Sequence, residues 1–267
     1  MTTGRSKKPP LANLLLEMLS PLSVVPFALS VPWLRTLPRG DGHPVLVMPG
    51  LLADERSLWL LSRFLRSRGY QVLQWGEGRN RGPTPGVFDT ALAILKSANR
   101  RSGQKVSLVG WSLGGTLARV LANRHPELIR SMVTLATPFT GDPKATHLNW
   151  LYKWATGHAP GARAAFTREY SGTPDVPLTA VYSRLDGVIP WQAAYQEPGP
   201  HSESVRVMCP HGAMAADPMV MYILADRLSQ PDGEWRPFEL PWWLPPARPR
   251  ALPALPSVTG PAETGGA

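Results

Sequence analysis

From Pro44 onward, short uninterrupted apolar runs alternate with longer stretches whose apolar positions recur at helical spacing. The runs Val45–Pro49, Tyr70–Trp75, Lys105–Gly110, Ser131–Ala136, Pro177–Ser183 and Glu203–Met208 predict strands. Between the first two, Asp54–Gly69 places Leu58, Leu61 and Leu65 on one helical stripe and ends on a glycine. Further helices are predicted over Val87–Asn99, from Leu113 to His125 where Pro126 stops continuation, and over Pro218–Leu228 with Asp217 as its cap. Strands without polar alternation are buried on both faces. Separated by helices, they predict an α/β fold with a mostly parallel central sheet flanked by helices and joined by right-handed crossovers.

Two segments break this rhythm. Residues 139–174 contain no strand pattern, only two short helical stretches near His147–Thr156 and Ala162–Tyr170, so a helical lid insertion is expected there. Beyond residue 230 proline recurs every few positions, so 231–267 is expected to be a largely extended tail whose first half Trp235, Phe238, Trp242 and Trp243 dock onto the domain. The main domain is thus assigned to residues 39–230, after the turn-rich boundary Pro38–Pro44.

The N-terminal 38 residues carry a different pattern. Met18–Leu34 has no charge but is interrupted by Pro21, Pro26 and Pro32. A spanning helix needs about 20 apolar residues. A secretory signal would use Arg5, Lys7 and Lys8 as its basic start and Ala28-Leu29-Ser30 as its cleavage site, but Glu17 falls inside its apolar core. The preferred expectation is an amphipathic helix over Leu11–Leu19 followed by a proline-broken apolar strap, packed on the domain or resting on a membrane surface through residues 5–34. A cytoplasmic or peripheral-membrane location is expected, with secretion the alternative.

The formal net charge is +9, with the arginines scattered along the chain. Such a balance favours anionic surfaces in a nonspecific way. No groove-reading or base-stacking motif accompanies it, so nucleic acid is not an expected partner. Cys209 is the only cysteine, which excludes an internal disulfide and a cysteine-based metal site; no metal or cofactor is predicted. Gly76–Gly82 approximates a dinucleotide fingerprint, but it has one residue too many, Pro83 and Pro85 delay the helix, and no acid follows at the required distance. It is expected to be a glycine-rich loop on the active-site edge that lines the pocket.

Candidate chemistry centres on Gly110-Trp111-Ser112-Leu113-Gly114, a nucleophile-elbow string. A triplet of this form arises by accident in about one chain in ten of this size, so its context has to carry the argument. The elbow needs a strand before the serine, a helix after it, and flanking glycines where a side chain would collide with backbone; the neighbouring patterns supply all three. The triad order is serine, then acid, then histidine, each just past a strand end. Asp186 follows the run ending at Ser183, and His211 follows the run ending at Met208. Asp175 and His201 precede their strands, and Asp217 caps a helix. His43 sits in a turn, His125 ends a helix, and His147 and His158 lie in the insertion; surface or capping roles are expected for these.

The strings "VLVMPGLLADERS", "GWSLGG", "TLATPF", "YSRLDGVIPW" and "PHGAM" resemble the α/β-hydrolase superfamily of the lipase and esterase kind, over about Pro44–Leu228. Many esterases carry His-Gly after the first strand, whereas this chain has Pro49-Gly50, as in bacterial lipase-like members. The resemblance implies a serine hydrolase in which His211 takes the proton of Ser112 and Asp186 orients the imidazole. The backbone N–H groups of Leu51 and Leu113 would form the oxyanion hole, and Gly110 and Gly114 would be the elbow glycines. Trp111, Trp150, Trp154 and Phe166 are the expected pocket or lid residues, and a small-molecule ester, lipids included, is the expected substrate. An acyltransferase or thioesterase on the same triad, and a noncatalytic membrane-associated binding protein with the same fold, are the alternatives.

Overall fold

Six strands form one sheet in a computed structural model that describes residues 8–142, 144–147, 149–158 and 164–240. They are β1 (Pro44–Met48), β2 (Gln71–Leu73), β3 (Val106–Trp111), β4 (Ile129–Leu135), β5 (Leu178–Ser183) and β6 (Ser202–Val207), in the order β2-β1-β3-β4-β5-β6. Every pairing between neighbours is parallel. The carboxyl ends therefore share one edge, where the loops after β1, β3, β5 and β6 gather. The strand expected over Tyr70–Trp75 is shorter because β2 is an edge strand that leaves the ladder after Leu73; Trp75 then turns into the core, where it is fully buried.

The helices are α1 (Leu11–Glu17), α2 (Val24–Leu34), α3 (Trp59–Ser67), α4 (Pro85–Ser102), α5 (Leu113–Arg124), α6 (Asn149–Thr156), α7 (Ala164–Ser171) and α8 (Pro218–Leu228). Alternate strand residues feed two apolar layers. Val47, Val109, Val133 and Val181 meet Leu61 and Leu65 of α3 and Val220 and Leu224 of α8 on one face. Leu46, Leu108, Met132 and Leu178 meet Leu95 of α4 and Leu117 and Leu121 of α5 on the other. Each such side chain, fully buried, contributes about 1.5–3 kcal/mol by its transfer from water. Helix α4 is longer at both ends than predicted. Thr84 caps its start by accepting the N–H of Val87, Pro85 occupies its first position, and Gly103, at φ 69°, ends it.

The N-terminal segment is helical where a proline-broken strap was expected. Pro26 lies among the first residues of α2, whose N–H groups have no intrahelical partner, so it breaks nothing. Pro32 sits inside the helix, which holds because Phe27 and Leu34 bury into the layer of α3 and α8 while Trp33 packs on Tyr222. Along the N-terminal segment, Leu11, Leu15, Met18, Leu22, Val25 and Leu29 are all exposed. No single helix among the described residues is long and apolar enough to cross a membrane. Leu11–Glu17 and Ser20–Leu34 pass that test only as a pair, bent by 56°.

His43 departs from its expected surface role. It is fully buried, with Nδ1 2.6 Å from Asp41 Oδ1 and Nε2 2.8 Å from Ser107 Oγ at the amino ends of β1 and β3. In the tail, Phe238 packs edge-on against Tyr222 and its N–H donates to Glu203, and Trp235 meets His201. Trp242, Trp243 and the basic residues Arg5 and Lys7 lie outside the described residues.

Candidate active site

The turn from β3 into α5 is built by close backbone approach. Ser112, the residue between them, has φ 53° and ψ −123°, a conformation that non-glycine residues rarely adopt and that costs of the order of 1–3 kcal/mol. It is held by Ser112 N–H donating to Leu135 O at 2.8 Å and by Gly115 N–H donating to Ser112 O at 2.9 Å. The glycines are steric necessities. A Cβ on Gly110 would lie 2.4 Å from Gly115 Cα, and one on Gly114 would lie 2.2 Å from Met48 O. At Gly115 it would lie 1.9 Å from Thr137 Oγ1. The doubled glycine in the sequence, Gly114-Gly115, is thus what lets α5 start close against the sheet.

Asp186 and His211 stand on the loops after β5 and β6. Their side chains are buried, with Asp186 Oδ2 2.7 Å from His211 Nδ1. The other carboxylate oxygen of Asp186 accepts the N–H groups of Val188 and Ile189, at 2.8 and 2.9 Å. Every face of the acid is thereby satisfied, and His211 Nδ1 has a fixed partner that orients the ring. Trp111 lies beside the imidazole at a tilt, with ring centroids 5.7 Å apart, and its indole N–H donates to His211 O. Burial alone would pull the His211 pKa down. The charge and hydrogen bond of Asp186, joined by the charge of Glu17, override it and hold the imidazole above its ordinary value.

Ser112 and His211 line the same cavity of about 300 Å³. Leu51 and Leu113, the residues expected to supply the oxyanion donors, line it too. Leu113 opens α5, so its N–H belongs to the helix-start donors that lack an intrahelical acceptor. The loop holding Leu51 is braced by Asn80. Its side-chain N–H donates to Pro49 O at 2.7 Å, its carbonyl accepts Leu52 N–H, and its own N–H donates to Ala53 O. The glycine-rich segment 76–82 was expected to line the pocket. It lies behind the Leu51 loop instead and supports it through Asn80, a residue that sequence patterning did not distinguish.

The remaining cavity wall is mainly apolar: Phe139, Leu151, Tyr152, Phe166, Tyr170 and Ile189 contribute. Trp111 and Phe166 line the cavity as well. Trp150 and Trp154 do not line the cavity; four residues apart on α6, they share its outward face and are 68% and 73% exposed. The inward positions belong to Leu151 and Tyr152. Glu17, from the N-terminal segment, also borders the cavity and had no assigned role in the sequence. Among the described residues, no group of three or more His, Cys, Asp or Glu side chains is arranged to hold a metal ion. Cys209 is buried and its thiol pKa is pushed up by burial, so it is a poor nucleophile.

Comparison with known proteins adds the following. Residues 44–162 match a family model described as alpha/beta hydrolase fold. The biotin biosynthesis bifunctional protein BioHC of Teredinibacter turnerae is 48% identical over 44 residues, 16% of this chain and 8% of that protein. The serine hydrolase BPHL of Homo sapiens is 33% identical over 107 residues, 35% of this chain and 36% of that protein. The chain thus spans well under half the length of these curated relatives. The crystal structure of Aspergillus fumigatus lipase B superposes with a TM-score of 0.59 at 15% identity, covering 73% of this chain and 54% of that one.

Proposed function

We propose that this chain, which has the alpha/beta-hydrolase fold, is a serine hydrolase that cleaves carboxylic esters through an acyl-enzyme on Ser112. One observation carries the reading: a serine at strained positive φ and a buried histidine paired with Asp186 border one mainly apolar cavity. Loop residues pay for such strain only when the surrounding fold imposes it, and strained positions of this kind cluster at functional sites.

The chemistry follows from the geometry. Ser112 Oγ attacks the ester carbonyl carbon while His211 Nε2 takes the hydroxyl proton. Asp186 holds Nδ1–H and stabilises the imidazolium. The oxygen of the tetrahedral intermediate accepts hydrogen bonds from Leu51 N–H and Leu113 N–H, a type of contact whose loss costs about 3 kcal/mol in the transition state. His211 then returns its proton to the departing alkoxide, which leaves as an alcohol. Water, deprotonated by His211, attacks the acyl-Ser112 carbonyl to release the carboxylic acid and restore the serine.

The acyl group would lie against Phe139, Leu151, Phe166 and Ile189. The insertion carrying α6 and α7 would act as the lid, and an apolar acyl chain, as in a lipid, suits this wall. Peripheral membrane contact through residues 5–34 is supported by the exposed leucines and valines of α1 and α2 and by the positive net charge. Nitrophenyl esters of graded chain length, assayed on the wild type and Ser112→Ala, test the reading. Turnover that rises from acetyl to medium or long acyl groups and vanishes in the variant is expected. Turnover that survives the substitution would refute it.

A further inference from the structure

The N-terminal segment does more than cover the sheet. The Glu17 carboxylate, just before the bend between α1 and α2, sits between the two loops that carry Asp186 and His211. Its Oε1 accepts the N–H of Gly187 at 2.9 Å and the N–H of His211 at 2.8 Å. Its Oε2 accepts the N–H of Gly212 at 2.9 Å and the hydroxyl of Ser20 at 3.2 Å. Three backbone amides from two loops thus converge on one anion. Hydrogen bonds to an ionised acceptor are roughly twice as strong as neutral ones.

The flanking glycines fit the same design. Asp186 and His211 are each followed by a glycine, and both of these glycines are covered by this segment. A Cβ on Gly187 would lie 2.5 Å from Asn13 O, and one on Gly212 would lie 2.9 Å from Ser20 Oγ. Asn13 adds a second tie, its side-chain N–H groups donating to Arg184 O at 2.8 Å and Asp186 O at 3.3 Å. Pro9 O accepts from His147 Nε2 at 2.9 Å, which links the same segment to the insertion over the cavity.

We infer that Glu17 is a positioning residue that clamps the acid and histidine loops in register, so that the catalytic pair is assembled only with the N-terminal segment docked. The inference rests on the serine-hydrolase reading for its catalytic meaning but not for its geometry. A carboxylate facing three N–H donors cannot be replaced by an amide without turning an NH₂ toward one or more of them. A displacement of about 1 Å at the reacting groups is enough to lower rates about 100-fold.

The test compares the full-length wild type with Glu17→Gln, first by amide hydrogen exchange and then by ester hydrolysis. Exchange at Gly187, His211 and Gly212 is expected to quicken at least about tenfold in the variant, with β3 and α5 unchanged. The kcat is expected to fall about 10- to 100-fold with KM held within about twofold. Asp186 and Glu17 are the charges that raise the His211 pKa, so the acid limb of kcat/KM is expected to move to lower pH. Unchanged exchange at the three amides, or equal loss of protection across the whole sheet, would overturn the clamp. Local deprotection without any change in kcat or acid limb would overturn its catalytic role. Exchange needs no turnover, so it reports on the clamp even if the wild type proves inactive.

Discussion

His43 Nε2 lies 2.8 Å from Ser107 Oγ, and with Asp41 on its other nitrogen this makes a second serine–histidine–acid string on the molecule. Ser107 lies near the start of β3 and Ser112 just past its other end, roughly 17 Å away at strand spacing. The two constellations differ in everything that catalysis needs. Ser107 and His43 have no exposure, Ser107 also bonds Ser131, and Asp41 is held at about 2 by its bonds to His43 and Arg130 against the opposing effect of burial. Ser112 instead is strained and faces a cavity. Hydrogen-bond geometry alone therefore does not identify a nucleophile. Ser107→Ala is expected to destabilise the fold by about 1–3 kcal/mol, by leaving His43 Nε2 unpaired, while fluorophosphonate labelling stays within twofold of wild type. Denaturant melts and labelling rates on the same preparation measure both.

The two buried histidines should respond to pH in opposite directions. Burial depresses the His43 pKa more than Asp41 raises it, so the unfolded chain binds the proton more readily than the folded one. The stability this gives is present above pH 6.5, the ordinary value, and is lost as pH falls below it. His211, held above 6.5, contributes stability that is complete below 6.5 and fades as pH rises through its folded pKa. Thermal melts from pH 5 to 8 are expected to show a His211→Gln variant losing the alkaline-side decline but keeping the acid-side one.

Activity should follow the same imidazole. His211 accepts a proton only when neutral, so kcat/KM is expected to rise with pH through an apparent pKa above 6.5. Replacing Asp186 with Asn removes the charge that raises this value and leaves an amide against Nδ1. The rate is expected to drop by roughly 10⁴, as for triads generally, and the residual acid limb to shift downward.

Asn80 offers a test of the predicted oxyanion loop that does not touch substrate. Asn80→Ala strands Pro49 O in a buried setting and frees the Leu51 turn. A loss of about 1–3 kcal/mol in stability is expected with a fall in kcat larger than any change in KM. Equal kcat in variant and wild type would separate the Leu51 loop from catalysis.

Inside and outside the insertion can be told apart by substitution. Phe166→Ala enlarges the cavity and should change acyl-chain preference, measured as the ratio of kcat/KM for long and short esters. Trp154→Ala alters an exposed face and should leave that ratio unchanged with monomeric esters.

Much of the fold was legible because its signals are local. Buried parallel strands appear as unbroken apolar runs such as Val45–Met48, and the elbow is spelled out by contiguous glycines around Ser112. The order Ser112, Asp186, His211 could be ranked because each follows a strand, and strand direction places it on one edge. What stayed hidden depends on distant contacts. Glu17 meets Gly212 across 195 positions, and nothing near Glu17 announces an acceptor for amides so far along the chain. His43 was misplaced because a histidine beside Gly and Pro has the composition of a turn, while its burial comes from Ser107 on another strand. Hydrophobicity marked Trp150 and Trp154 for the pocket or the lid without saying which face of their helix they share. The phase of a short helix is set by packing, and here Leu151 and Tyr152 took the inner face.

The most direct measurement is intact-protein mass spectrometry after reaction with a fluorophosphonate, on the wild type and Ser112→Ala. The account predicts a single adduct on the wild type, mapped to Ser112 by peptide analysis, and none on the variant. An unmodified wild type, or equal modification of both proteins, would contradict it.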